Sequence, residues 1–305
     1  MNDDDRAGQR LGTYRLVRLL GRGACSKVYL GEHLHSNVPV AIKILSGHFT
    51  RNEMKKFLVQ ASTLAQLKHP HIVQVIESGL NDPVPFLVMD YAPNGNLRQR
   101  HPKDTRVPLE TVVSYVQQIA GALDYVHDRK LIHRDIKPHN MLLGVDNQVL
   151  LSDFGIAIPS YSIDAIHSND FEGTVVYAAP EQLQGRPRRS SDQYALGVVV
   201  YEWLCGEWPF CGSFREIAHQ HLSVSPPGLN EKNSAISPTV EKVVLKALAK
   251  DPARRFASVQ EFADALEQAS QADKQPIALS ELSPLPTLKK RQFMSPFPFE
   301  PLSAH

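Results

Sequence analysis

The sequence predicts an α+β fold in two unequal parts: a small sheet with one long helix, then a mainly helical part. Three observations predict it. Residues 13–45 are dense in β-branched and aromatic residues, interrupted by glycines. Beyond Asn94-Gly95, apolar residues recur at helical spacing. The change of character falls between residues 90 and 96.

The strands read as Tyr14–Leu20, Val28–His33 and Val38–Leu45, split by Gly21, Gly23 and Ser36-Asn37. Arg51–Lys68 switches to helical period, with Met54, Phe57, Leu58, Ala61 and Leu64 on one broad face, and Pro70 ends it. Ile72–Ile76 and Phe86–Met89 read as two further strands of a small sheet. Val112, Val116, Ile119, Leu123 and Val126 then mark a long helix. Two short strands follow, Met141–Leu143 and Val149–Leu151. Helices are predicted over Ser191–Leu204, Phe214–Leu222, Val240–Ala249 and Val259–Glu267, the last opened by a Ser258/Glu261 capping box.

The chain has 305 residues, 42% hydrophobic and 21% charged, which excludes a collagen, a coiled-coil rod and a wholly disordered chain. Lys+Arg number 33 against 32 Asp+Glu, so charge gives no footing for nucleic acid or an anionic membrane. Cys25, Cys205 and Cys211 match no zinc spacing and point to a reducing, cytoplasmic setting. No secretory signal and no membrane-length apolar run is visible. Residues 1–10 are expected to be loose, 11–92 and 93–272 to form the two parts, and 273–305 to be a proline-rich tail without its own core.

Gly21-Arg22-Gly23-Ala24-Cys25-Ser26 lies between two strands, where glycines let backbone amides approach a phosphate. Alone, this reads as a simple hairpin turn. Val40-Ala41-Ile42-Lys43 ends a strand with an amine placed to return under that turn. His133-Arg134-Asp135-Ile136-Lys137-Pro138-His139-Asn140 is more specific. It packs a base, a phosphate-binding lysine and an amide ligand into one loop. Asp153-Phe154-Gly155 places a carboxylate at the next strand end, suited to a divalent cation bridging phosphates. Gly173-Thr174 and Ala179-Pro180-Glu181 close the segment.

In order and spacing, these motifs resemble the eukaryotic-like serine/threonine protein kinases of bacteria, over residues 11–270. The resemblance implies a bilobal fold, with a five-stranded antiparallel N-lobe sheet plus one helix and a mainly helical C-lobe. It implies ATP between the lobes, with Gly21, Gly23, Ser26, Val28 and Ala41 around it and Lys43 gripping its phosphates. Met89 resembles the gatekeeper, and Asp90 to Ala92 the hinge to adenine. Asp135 is the implied catalytic base, Lys137 steadies the γ-phosphate, and Asn140 and Asp153 hold Mg²⁺, with Mn²⁺ as the alternative ion. Asp192 resembles the buried aspartate of the central C-lobe helix, Glu181 and Arg255 a structural ion pair, and Thr174 a contact of the catalytic residues. Implied partners are proteins bearing Ser or Thr, and a second copy of the chain in trans-autophosphorylation. Ser168, phosphorylated, is expected to pair with Arg134.

Two positions depart from the pattern. The third glycine of the turn is Ser26, and the helix glutamate that pairs with the strand lysine is Gln60. Gln60 can accept a hydrogen bond from Lys43 but supplies no charge. Glu53, seven residues earlier, lies about 10 Å along the helix at ~1.5 Å per residue. These departures raise a second reading: a pseudokinase, binding nucleotide as a scaffold.

Overall fold

The computed structural model describes residues 6–23, 26–47, 49–81, 84–154 and 175–272. Its first part is an antiparallel sheet of strands β1 (Arg10–Leu11), β2 (Tyr14–Gly23), β3 (Ser26–His33), β4 (Pro39–Leu45), β5 (Val75–Asn81) and β6 (Val84–Asp90). The order is β1-β2-β3-β4-β6-β5, so the sheet has six strands rather than the five expected. The extra one is the two-residue β1, which turns back on β2 and begins at Arg10, inside the stretch expected to be loose.

Strand alternation gives this sheet two apolar faces. Tyr29, Ile42, Ile44, Phe86 and Val88 form one core with Tyr14 and Leu16. The other face receives α1 (Arg51–Ala65), whose Phe57 and Ala61 pack on Leu45, Val75 and Leu87. Thr50 and Glu53 close a reciprocal capping box at its start, with Thr50 N donating to Glu53 Oε2 at 2.8 Å. Glu53 therefore serves the helix cap.

The segment after α1 departs from expectation. The apolar run predicts a strand from Ile72, yet β5 starts only at Val75. Ile72 instead forms a parallel bridge to Leu151, and its side chain joins the core of the helical part with Leu67. The apolar run that predicts a strand is apolar because it is inserted into the other lobe.

The second part holds α2 (Leu97–Arg100), α3 (Leu109–Asp128), the hairpin β7 (Met141–Leu143) and β8 (Val149–Leu151), α4 (Pro180–Leu183), α5 (Arg189–Cys205), α6 (Phe214–Ser223), α7 (Leu229–Lys232), α8 (Pro238–Ala247) and α9 (Val259–Ala272). The expected stripe of α3 is buried as read, against α5 and α9. α5 is buried on every side from Ser191 to Cys205, as a helix without a polar face must be. Gly206 ends it at φ +83°, a left-handed conformation that glycine adopts without a Cβ clash. α9 opens on half of the predicted box: Ser258 Oγ accepts from Glu261 N at 3.0 Å, but the Glu261 carboxylate accepts from Ala257 N instead of Ser258 N. Asp124 of α3 adds a second cap, accepting from Val259 N and Gln260 N.

Candidate active site

Register explains why one sheet face collects the residues expected around a nucleotide. Lys43 lies opposite Val28 on β3 and Leu87 on β6. Ala41 lies opposite Leu30 and Met89, and Gly21 opposite Val28. Directly paired residues share a face, so Gly21, Val28, Ala41, Lys43 and Met89 line one surface. β2 and β3 remain paired to Gly23 and Ser26. Ser26 stays out of the left-handed region, so the departure from glycine needs no strained backbone. Asp90 ends β6 and Ala92 follows it, and Asp90 N donates to Gln74 O at 3.0 Å.

The catalytic-loop residues arrive from the other part. Lys43 Nζ donates to Asp153 Oδ1 at 2.5 Å, joining residues 110 positions apart. Burial alone would raise the Asp153 carboxyl; the charge and hydrogen bond of Lys43 outweigh it and hold the group below the usual carboxylate range. Lys137 Nζ lies 3.0 Å from Asp135 Oδ2. Asn140 Nδ2 donates to Asp135 Oδ2 and to Asp135 O, both at 2.8 Å. Among the described residues, none of these partners lies on Asp135 Oδ1. Lys43, Asp135, Lys137, Asn140 and Asp153 are therefore brought together.

The loop is held by buried groups behind it. Asp192 of α5 is 1% exposed and takes three donors: His133 N at 2.9 Å, Arg134 N at 2.8 Å and His127 Nε2 at 2.7 Å. Arg134 sits at φ +68° and Asp153 at φ +58°, left-handed conformations that cost a non-glycine residue about 1–2 kcal/mol each. Asp192 anchors the first. His133 is fully buried; its Nε2 donates to Ser152 O at 2.9 Å and its Nδ1 accepts from Asp135 N at 3.3 Å. Burial pushes its pKa down against the pull of Asp192 and Asp135, and the ring links the loop of Asp135 to the end of β8. His139 is pushed down too, by burial and then by the charges of Arg98 and Lys137.

The donors fit a hard divalent cation. Mg²⁺ prefers oxygen ligands from one or two protein groups, completed by water and phosphate. Asp153 Oδ2 has no hydrogen bond among the described residues. Because Asn140 Nδ2 is tied to Asp135, the amide oxygen faces the other way.

One expectation fails. Gln60 makes no hydrogen bond to Lys43, and its Oε1 is buried with no partner among the described residues. A neutral amide competes poorly with the Asp153 carboxylate for an ammonium. The Glu181–Arg255 pair is formed and bidentate, at 2.7 and 2.9 Å, with Ser191 Oγ adding a third donor to Glu181. Gly155, Ser168, Gly173, Thr174 and the tail from 273 lie outside the described residues. Sequence reasoning missed His127. A histidine ending the apolar stripe of α3 was its only signal.

Comparison with known proteins agrees with this geometry. The protein kinase domain matches residues 14–268. The chain is 34% identical over 272 residues to the serine/threonine-protein kinase PrkC of Bacillus subtilis, covering 88% of this chain and 42% of that protein. It is 36% identical over 277 residues to Pkn1 of Myxococcus xanthus, covering 87% and 39%. It is 35% identical over 258 residues to PknB of Mycobacterium leprae, covering 82% and 42%. The chain thus spans about two-fifths of the length of the curated relatives it matches. A β-sheet lysine paired with the Asp153 carboxylate, a buried aspartate anchoring the loop of Asp135, and a match over residues 14–268 place this chain in the protein kinase domain family.

Proposed function

We propose that the chain is a serine/threonine protein kinase, transferring the γ-phosphoryl group of ATP to a protein hydroxyl and releasing ADP. The observation that carries this reading is the ion pair between Lys43 and Asp153. It brings the nucleotide-facing sheet surface onto the loop that holds Asp135. The names of the relatives and Lys137, two residues after Asp135, favour Ser and Thr as acceptors.

Asp135 Oδ1 accepts the hydrogen bond of the substrate hydroxyl and aims its oxygen at phosphorus. Lys137 and Asn140, both on Oδ2, fix the rotamer of that carboxylate. Lys43 neutralises charge on the non-transferred phosphates, and Lys137 does so at the transferred group. Asn140 and Asp153 would hold a divalent cation, Mg²⁺ or Mn²⁺, which would supply positive charge to neutralise the phosphates. Positioning of this kind contributes most of the catalysis in phosphoryl transfer. The pseudokinase alternative finds no support, since each residue of the set is present and convergent.

Residues 11–92 and 93–272 serve as the two lobes in this reading, and a second copy of the chain is a natural acceptor. A cytoplasmic setting is supported by the free thiols of Cys205 and Cys211. No described helix is long and apolar enough to cross a membrane.

The test is transfer of radiolabelled phosphate from ATP, with Mg²⁺ and then Mn²⁺, to a generic protein acceptor and to the chain itself. Wild type should label the acceptor on Ser or Thr, and Asp135→Asn should not. Equal labelling by both proteins, or none by either, would overturn the proposal.

A further inference from the structure

Beside the catalytic loop lies a charged surface that phosphoryl transfer does not use. α2 packs against the turn Pro138–Asn140 and against β7. The stretch from Leu97 to Arg106 reads L-R-Q-R-H-P-K-D-T-R, with four cations (Arg98, Arg100, Lys103, Arg106) and one acid, Asp104. In a chain of nearly balanced charge, this is a local excess of +3, that is 4 − 1.

The nearby carboxylates cancel only Arg98, which leaves Arg100, Lys103 and Arg106 against Asp104. Arg98 turns inward and donates through Nη2 to Glu202 Oε1 at 2.7 Å and Oε2 at 2.9 Å. Tyr177 donates its hydroxyl to Glu202 Oε2 at 2.8 Å and accepts from Trp208 Nε1 at 3.2 Å. Glu202 is buried, so its charge is matched inside the protein. Glu207 pairs with Lys232 at 2.9 Å. On the outside, Lys103 Nζ rests over the Trp208 ring, 4.2 Å from its centroid. Arg100 and Lys103 are exposed, and Arg106 gives its guanidinium to the carbonyls of Cys205 and Lys232. A peptide laid along this edge meets cations, with Asp104 as the one exposed acid of the stretch.

We infer that this basic ledge reads the protein substrate, and that it selects Ser or Thr acceptors with Asp or Glu within a few residues of the hydroxyl. The inference rests on the kinase reading above and adds a substrate class to it. A substrate arginine finds no open carboxylate here, because Arg98 already fills Glu202 from within the chain. A substrate aspartate gains from Arg100 and Lys103 without displacing anything. Opposite charge at a solvated rim raises encounter and discrimination, and is weakened by salt.

The test uses peptides with one Ser acceptor and three Asp, three Ala or three Arg on either flank. kcat/KM is measured for wild type, Lys103→Glu, and the double variant Arg100→Glu/Lys103→Glu. On one flank, wild type should use the Asp peptide about tenfold better than the Arg peptide at low salt. That ratio should shrink at high salt and fall to unity or invert in the double variant, while the Ala peptide is used equally by all three proteins. Equal use of Asp and Arg peptides, preference for Arg, or a ratio unchanged by the double variant would overturn the inference and leave the kinase reading intact. Failure of wild type to label any peptide would overturn both.

Discussion

The Lys43 ammonium donates to the Asp153 carboxylate at 2.5 Å, and this pair joins the sheet to the loop. The two side chains keep 21% and 36% of their exposure, so solvent moderates the pair. Their importance is positional. Lys43→Ala and Asp153→Asn should each lower kcat at least about 10²-fold, or ~3 kcal/mol of barrier. Because the groups act as a unit, the double variant should lose much less than the product of the single losses. A fully multiplicative double variant would show that they act independently.

Gln60 carries a buried acceptor with no partner among the described residues. Such an atom costs about 1–3 kcal/mol in lost hydration. Gln60→Met removes it at similar volume, and the melting temperature should hold or rise by a few degrees. A fall of more than about 2 kcal/mol in unfolding free energy would mean that the amide is satisfied in solution. Gln60→Glu tests the missing charge: a faster enzyme would show that a carboxylate here improves the placing of Lys43, and an unchanged rate that Asp153 suffices.

Asp192 touches no reacting atom in the proposed mechanism, and acts by holding His133 N, Arg134 N and His127 Nε2. An asparagine offers one acceptor oxygen to these donors and adds a donor of its own. Asp192→Asn should reduce kcat about 10- to 100-fold while KM for ATP changes little, as for a lost positioning group. Circular dichroism should confirm the fold. A kcat within twofold of wild type would remove Asp192 from the positioning set.

His221 gives a prediction about pH. It is fully buried in α6; Nε2 donates to Val176 O at 2.9 Å, and Nδ1 accepts from Tyr194 Oη at the same distance. Burial, aided by the charge of Lys250, pushes its pKa down to about 4. The unfolded chain binds the proton near 6.5 and the folded chain does not, so this contribution is complete above 6.5 and is lost as pH falls towards 4. The loss is about 3 kcal/mol. Unfolding in urea at a series of pH values should show wild type losing about that much relative to His221→Gln, which keeps a donor and an acceptor but does not titrate. Parallel pH profiles would refute it.

Much of the site was legible because its residues lie in short runs at strand ends, where local spacing carries the chemistry. Asp135, Lys137 and Asn140 share one loop. The partners that hold them are distant in sequence. The contact of Asp192 with His127 spans 65 residues, and that of Arg98 with Glu202 spans 104. Neither leaves a local pattern. The same limit explains Ile72, whose apolar character reports burial but not which part buries it. β1 was missed because two residues are too few to show alternation.

The hairpin β7–β8 is gripped twice, by the segment before β5 and by the segment that follows β6. Leu151 N donates to His71 O, and Val73 N to Leu151 O. Asn94 N donates to Leu143 O, and Leu143 N to Gly95 O. Two fixed points define an axle, and the hairpin lies on it. Asn140 comes just before the hairpin and Asp153 just after. The proposed cation-holding pair, Asn140 and Asp153, is thereby pinned through the hairpin to the segments 71–73 and 94–95 that lead into and out of the end of the sheet part.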